Sequence, residues 1–95
     1  MSEALNDDAI RSALDLLPSW SVENGKLHRS MSFGGFPEAL AFLVRVGIEA
    51  EKHGHHPELA NVFDRVTIDL TTHDADGITV KDVDLARAID AIAVS

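Results

Sequence analysis

Between Pro37 and Gly54 the sequence predicts one long helix, and stretches that alternate with a period of two flank it on both sides. Proline suits the first turn of a helix, where no amide bond is lost. Gly54 is a natural left-handed C-terminal cap. Glu38 near the start, with Lys52 and His53 near the end, complements the helix dipole. Leu40, Leu43, Val44, Gly47 and Ile48 recur at helical spacing, which predicts the face turned to the core. A chain patterned this way has to pack its helix against two hairpins.

The flanking segments complete the order. Ile10, Ala13, Leu14 and Leu17 mark a first helix over Asp7 to Leu17, capped by Asn6 or Asp7 and stopped by Pro18. Trp20 to Phe33 predicts a hairpin, because Asn24-Gly25 supplies the positive φ angles of a two-residue turn. Leu27, Arg29, Met31 and Phe33 then alternate with His28, Ser30 and Ser32. Leu59 to Thr72 predicts a second hairpin turning at Asp64-Arg65, with Val66, Ile68 and Leu70 on one side of its last strand. Asp76-Gly77 marks a loop. Thr79 followed by Asp82 resembles a capping box, and Val83, Ala86, Ile89 and Ala93 line a final helix. The order α-β-β-α-β-β-α points to an α+β two-layer sandwich, a four-stranded antiparallel sheet with helices on one face.

With 95 residues, one domain spanning 1–95 is expected. Sixteen acidic against eight basic residues give a net charge of -8, and no Lys/Arg cluster is present. Direct nucleic-acid binding and attachment to anionic membranes are therefore disfavoured. The absence of cysteine excludes disulfides and thiolate chemistry. The polar N-terminus does not resemble a targeting segment. The longest apolar run, Ala39 to Val44, falls far short of the ~20 residues of a membrane helix. A cytoplasmic location is expected.

Chemistry concentrates in the five histidines. His53, His55 and His56 crowd the end of the central helix, and His73 ends the last strand. His28 lies on a polar strand face and is expected in solvent. Pro57 forces His56 into an extended conformation, so the pair occupies a defined elbow. Imidazoles titrate near neutrality and suit proton transfer, and Glu51, one turn back, can orient one of them. Spacing alone leaves a second reading open, in which His53 caps the helix and His55 and His56 are solvated loop residues. No His-Glu-x-x-His spacing supports a metal site. Trp20 and Phe63 are expected in the core. Asp74 to Asp76 lacks the spaced ligands of a calcium loop, and neither a phosphate loop nor a nucleophile elbow is present.

The run Glu51-Lys52-His53-Gly54-His55-His56-Pro57-Glu58, continued by Asn61-Val62-Phe63, Thr71-Thr72-His73, Gly77 and Asp82-Val83-Asp84-Leu85-Ala86, resembles the signature of the pterin-4a-carbinolamine dehydratase family. The resemblance extends over Trp20, the first hairpin and the helix containing Arg45, and so covers nearly the whole chain. It implies dehydration of 4a-hydroxytetrahydropterin to quinonoid dihydropterin, without metal or cofactor, in recycling the pterin of an aromatic amino-acid hydroxylase. The catalytic set it implies is His55, His56, His73 and Glu51, with Pro57, Thr71, Thr72 and Asp82 binding substrate. Loss of the C4a hydroxyl needs one proton delivered and another removed from N5, which suits paired histidines. His55 and His73 are expected to exchange those protons while His56 orients the pterin. Gly54, Leu59 and Phe63 depart from the polar residue, aromatic and tyrosine frequent at these places. The resemblance also implies a homo-oligomer, dimer or tetramer. The alternative is a non-catalytic dimerisation or interaction module on the same fold, as some animal members serve a homeodomain transcription factor.

Overall fold

The computed structural model describes residues 3–93. Its elements are α1 (Asp7–Asp15), β1 (Ser21–Glu23), β2 (Lys26–Ser32), α2 (Phe36–His53), β3 (Glu58–Val62), β4 (Arg65–Leu70), a 3-10 turn (His73–Ala75) and α3 (Val80–Ala93). The strands form one antiparallel sheet in the order β1-β2-β4-β3, with Leu27 opposite Leu70 and Arg29 opposite Ile68 on the central pair. The expected α-β-β-α-β-β-α fold is the one observed. No helix among the described residues is long and apolar enough to cross a membrane.

Local chemistry explains most boundaries. The Asn6 side chain caps α1 by accepting from the Ala9 amide at 2.8 Å. Asn24 and Gly25, at φ 53° and 75°, make the first hairpin turn as their sequence demands. The second turn lies one position earlier than expected, at Phe63-Asp64, because Val62 pairs with Arg65. The Asn61 amide holds it by donating to the carbonyls of Phe63 and Arg65. Phe63 adopts φ 52° at the tip and is 66% exposed, so it is a turn residue instead of the expected core residue.

The core lies between the sheet's inner face, carrying Leu27, Val66, Ile68 and Leu70, and the helices, which bring Val46, Phe42, Leu85 and Ile89. Trp20 joins it and donates through Nε1 to Asp90 at 2.8 Å. Arg29 also donates to Asp90, which explains how a cation stands among the inward residues of β2.

The buried face of α2 differs from the expected one. Ala39, Phe42, Val46 and Ala50 face inward, while Phe36, Leu40, Val44 and Ile48 lie in solvent, Val44 being 64% exposed. Among the residues expected on the core face, Leu43 is partly buried against it. Small side chains such as Ala39 and Ala50 let a helix backbone approach its neighbours closely, so packing selects them over bulkier residues on an adjacent face.

Ile68, fully buried, and Thr67, on the opposite face, test the pleat assignment. We expect Ile68→Ala to cost about 2–5 kcal/mol in urea denaturation. Thr67→Ala should stay within about 0.5–1 kcal/mol of the parent.

Candidate active site

Three chain segments leave their elements at the same rim of the sandwich. The first is the end of α2. Gly54 adopts φ 62°, and the amides of Gly54 and His55 bond back to the carbonyls of Glu51 and Ala50 at 3.2 and 3.1 Å. That closure launches His55 and His56 along a fixed path, with Pro57 behind them. The second follows β4, where Thr72 bridges to Gly77 across the 3-10 turn that carries His73. The third is the start of α3.

At that start the capping box forms with an aspartate in the acidic position. The Lys81 amide donates to Thr79 Oγ1 at 3.2 Å, and Asp82 Oδ2 accepts from the Thr79 amide at 2.9 Å. The same oxygen accepts from the Thr72 hydroxyl at 2.9 Å, and Thr72 and Thr79 share a hydroxyl contact at 2.7 Å. The other carboxylate oxygen lies 2.5 Å from His55 Nε2. Asp82 is fully buried, and the His55 side chain is 12% exposed. With Asp82 accepting, Nε2 carries the proton of a neutral His55, and Nδ1 remains as its acceptor.

These segments enclose a cavity of about 270 Å³. His55, His56 and His73 line it with Gly54, Thr71 and Thr72, and Asp74 and Lys81 complete the wall. His56 is anchored by Glu51, which lies 2.6 Å from its Nε2. His73 is 82% exposed, and Glu58 approaches its Nε2 to 3.8 Å.

The sequence-derived residues thus divide into groups. The three histidines and the two threonines meet on one cavity. Glu51 stands behind His56, and Pro57 shapes the elbow without lining the cavity. Asp82, expected among the substrate-binding residues, is sealed behind His55 with both oxygens occupied by the protein. Asp74 and Lys81 were missed, although Lys81 follows from the capping box, which puts it beside Asp82 at the start of α3. His28 is not the solvated residue expected: its side chain is 18% exposed, and Nδ1 lies 2.8 Å from Asp69 on the neighbouring strand. Among the described residues, no three His, Asp or Glu side chains are grouped to hold a metal ion.

Residues 3–92 match the family model described as pterin 4 alpha carbinolamine dehydratase. A protein of Solibacter usitatus, named as a candidate pterin-4-alpha-carbinolamine dehydratase, is 50% identical over 93 residues, 98% of each chain. A similarly named protein of Rhizorhabdus wittichii is 50% identical over 96% of each chain. Among solved structures, a transcriptional coactivator/pterin dehydratase from Brucella melitensis superposes with a TM-score of 0.90 at 35% identity, covering 96% of this chain and 99% of that one.

Because Asp82 joins Thr72, Thr79 and His55 with no access to water, Asp82→Ala should lower stability by about 2–5 kcal/mol in denaturant titration. His56→Ala, at an exposed position, should leave the midpoint nearly unchanged.

Proposed function

The chain belongs to the pterin-4-alpha-carbinolamine dehydratase family, and on that footing we propose that it dehydrates 4a-hydroxytetrahydropterin to quinonoid dihydropterin by histidine acid–base catalysis. The observation that carries this reading is the convergence of His55, His56 and His73 on one cavity, with His55 held by the buried Asp82.

In the reaction the C4a–O bond breaks and the N5–H proton is lost, so water and the quinonoid ring are the products. One group must protonate the departing hydroxyl and another must accept the N5 proton. His55 is the fixed partner, its Nε2 engaged by Asp82 and its Nδ1 left to the substrate. His73, exposed at the cavity, serves as the second group, and His56 with Glu51 orients the ring. The Thr71 hydroxyl, which donates to the Gly77 carbonyl at 3.4 Å, can accept from the ring's donor–acceptor edge. Asp82 acts through His55 as a positioning residue and does not touch substrate. This activity would recycle the pterin of an aromatic amino-acid hydroxylase in the cytoplasm.

Assembly into a homo-oligomer is part of the same proposal, supported by the exposed stripe of Phe36, Leu40, Val44 and Ile48 on α2. Four large apolar side chains one turn apart are costly to leave in water, and a symmetric pairing of helices would cover them.

Absorbance decay of freshly generated 4a-hydroxytetrahydropterin tests the activity. The parent protein should accelerate it, and His55→Ala and His73→Ala should each lose about 10²–10⁴-fold. No acceleration by folded protein would contradict the proposal. For the assembly, a Val44→Asp, Ile48→Asp double variant should reduce the solution mass by light scattering to that of one chain, and an unchanged mass would remove the stripe from the interface.

A further inference from the structure

On the sheet face opposite the core, a serine, a histidine and an aspartate are linked in series. His28 and Asp69 stand directly opposite each other on β2 and β4, and Ser30 follows His28 by two residues on the same face. Asp69 Oδ1 lies 2.8 Å from His28 Nδ1, and Ser30 Oγ lies 3.2 Å from Nε2. None of the three lines the histidine cavity, and the dehydratase reading uses none of them. We propose that they form a second site, a nucleophilic acyl-transfer centre that takes esters of short, uncharged acyl chains.

Geometry assigns the roles. With Asp69 accepting from Nδ1, the Nε2 lone pair is left to the Ser30 hydroxyl. His28 then takes the hydroxyl proton as Oγ attacks, and Asp69 stabilises the imidazolium that forms. Glu23, whose carboxylate lies 3.7 Å from Nε2, supports the same charge. Exposure is graded to suit these roles: the His28 side chain is 18% exposed, whereas Ser30 is open to a substrate. No sequence motif marks the array, because the partners meet only when β2 and β4 pair.

A cavity of about 220 Å³ adjoins the nucleophile, lined by Ser30, Val62, Arg65, Val66 and Thr67. Val62 gives a short acyl chain an apolar wall. The Arg65 guanidinium has no hydrogen-bond partner in the chain among the described residues, and its charge is suited to an oxyanion. No second cation lines the cavity to hold an acid group, so an uncharged acyl chain fits better. In the reaction Oγ bonds to the carbonyl carbon and the bond to the alcohol breaks, the alcohol leaving with the proton from Nε2. Water then adds to the same carbon, its proton returning through Nε2 to Oγ, and the free acid departs.

Diisopropyl fluorophosphate tests the nucleophile directly, since it phosphorylates an activated serine and loses fluoride. Intact mass and peptide mapping of the parent should show one adduct, at Ser30, and Ser30→Ala should show none. His28→Gln keeps the serine and should slow its labelling by about 10²-fold. Hydrolysis of p-nitrophenyl acetate should fall about tenfold or more from the parent to Ser30→Ala, because both proteins carry the same background from their other histidines. Ser30 lies outside the core, and circular dichroism confirms that its variant is folded. A folded parent without an adduct at Ser30, labelling as fast in His28→Gln, or ester hydrolysis unchanged in Ser30→Ala would overturn the site. Each of these results leaves the dehydratase reading standing.

Discussion

Everything at the rim of this molecule depends on one buried carboxylate. Asp82 closes the capping box of α3, takes the Thr72 hydroxyl at the end of β4 and holds His55 beyond the end of α2. A carboxyl group sealed from water must have its oxygens satisfied by the protein, and each of its partners comes from a different segment. The condition that makes its burial tolerable is therefore the condition that brings the three segments together. Fold stability and the aim of the imidazole are two consequences of one set of hydrogen bonds.

The histidines stand in graded environments around this centre. His55 is nearly enclosed, while His56 is tethered to Glu51 in solvent and His73 is open at the cavity mouth. For the proposed dehydration, which delivers one proton and removes another, these environments would supply one enclosed group and one open to solvent. In that reaction a fixed group would lower the entropic part of the barrier, and an accessible one would exchange protons with water between turnovers.

Much of the architecture was legible because local chemistry and tertiary packing agree there. Asn24-Gly25 can scarcely be anything other than a tight turn, and Pro37 and Gly54 bracket α2 as their backbone preferences require. Thr79 and Asp82 at capping-box spacing announced the start of α3. The inward face of α2 was not legible, because two adjacent stripes are both apolar and hydropathy favours the bulkier one. Close packing chose Ala39, Val46 and Ala50, and left Leu40, Val44 and Ile48 outside. Phe63 misled for a similar reason, since its ring suggests burial while its backbone serves a turn. Within the site, spacing set His53, His55, His56 and His73 at the ends of their elements but left their role open, and only the family resemblance singled out His55, His56 and His73. The depth of Asp82, the pairing of His28 with Asp69 and the approach of Asp74 and Lys81 to the cavity are properties of the assembled sheet and helices.

Asp82 fixes which nitrogen of His55 is free. Long-range ¹H–¹⁵N correlation of the histidine rings measures this directly on the neutral form. His55 is expected as a single tautomer, protonated at Nε2 with Nδ1 unprotonated, the form in which the Asp82 carboxylate accepts across the 2.5 Å contact. A His55 protonated at Nδ1, or one averaging between the two tautomers, would contradict it.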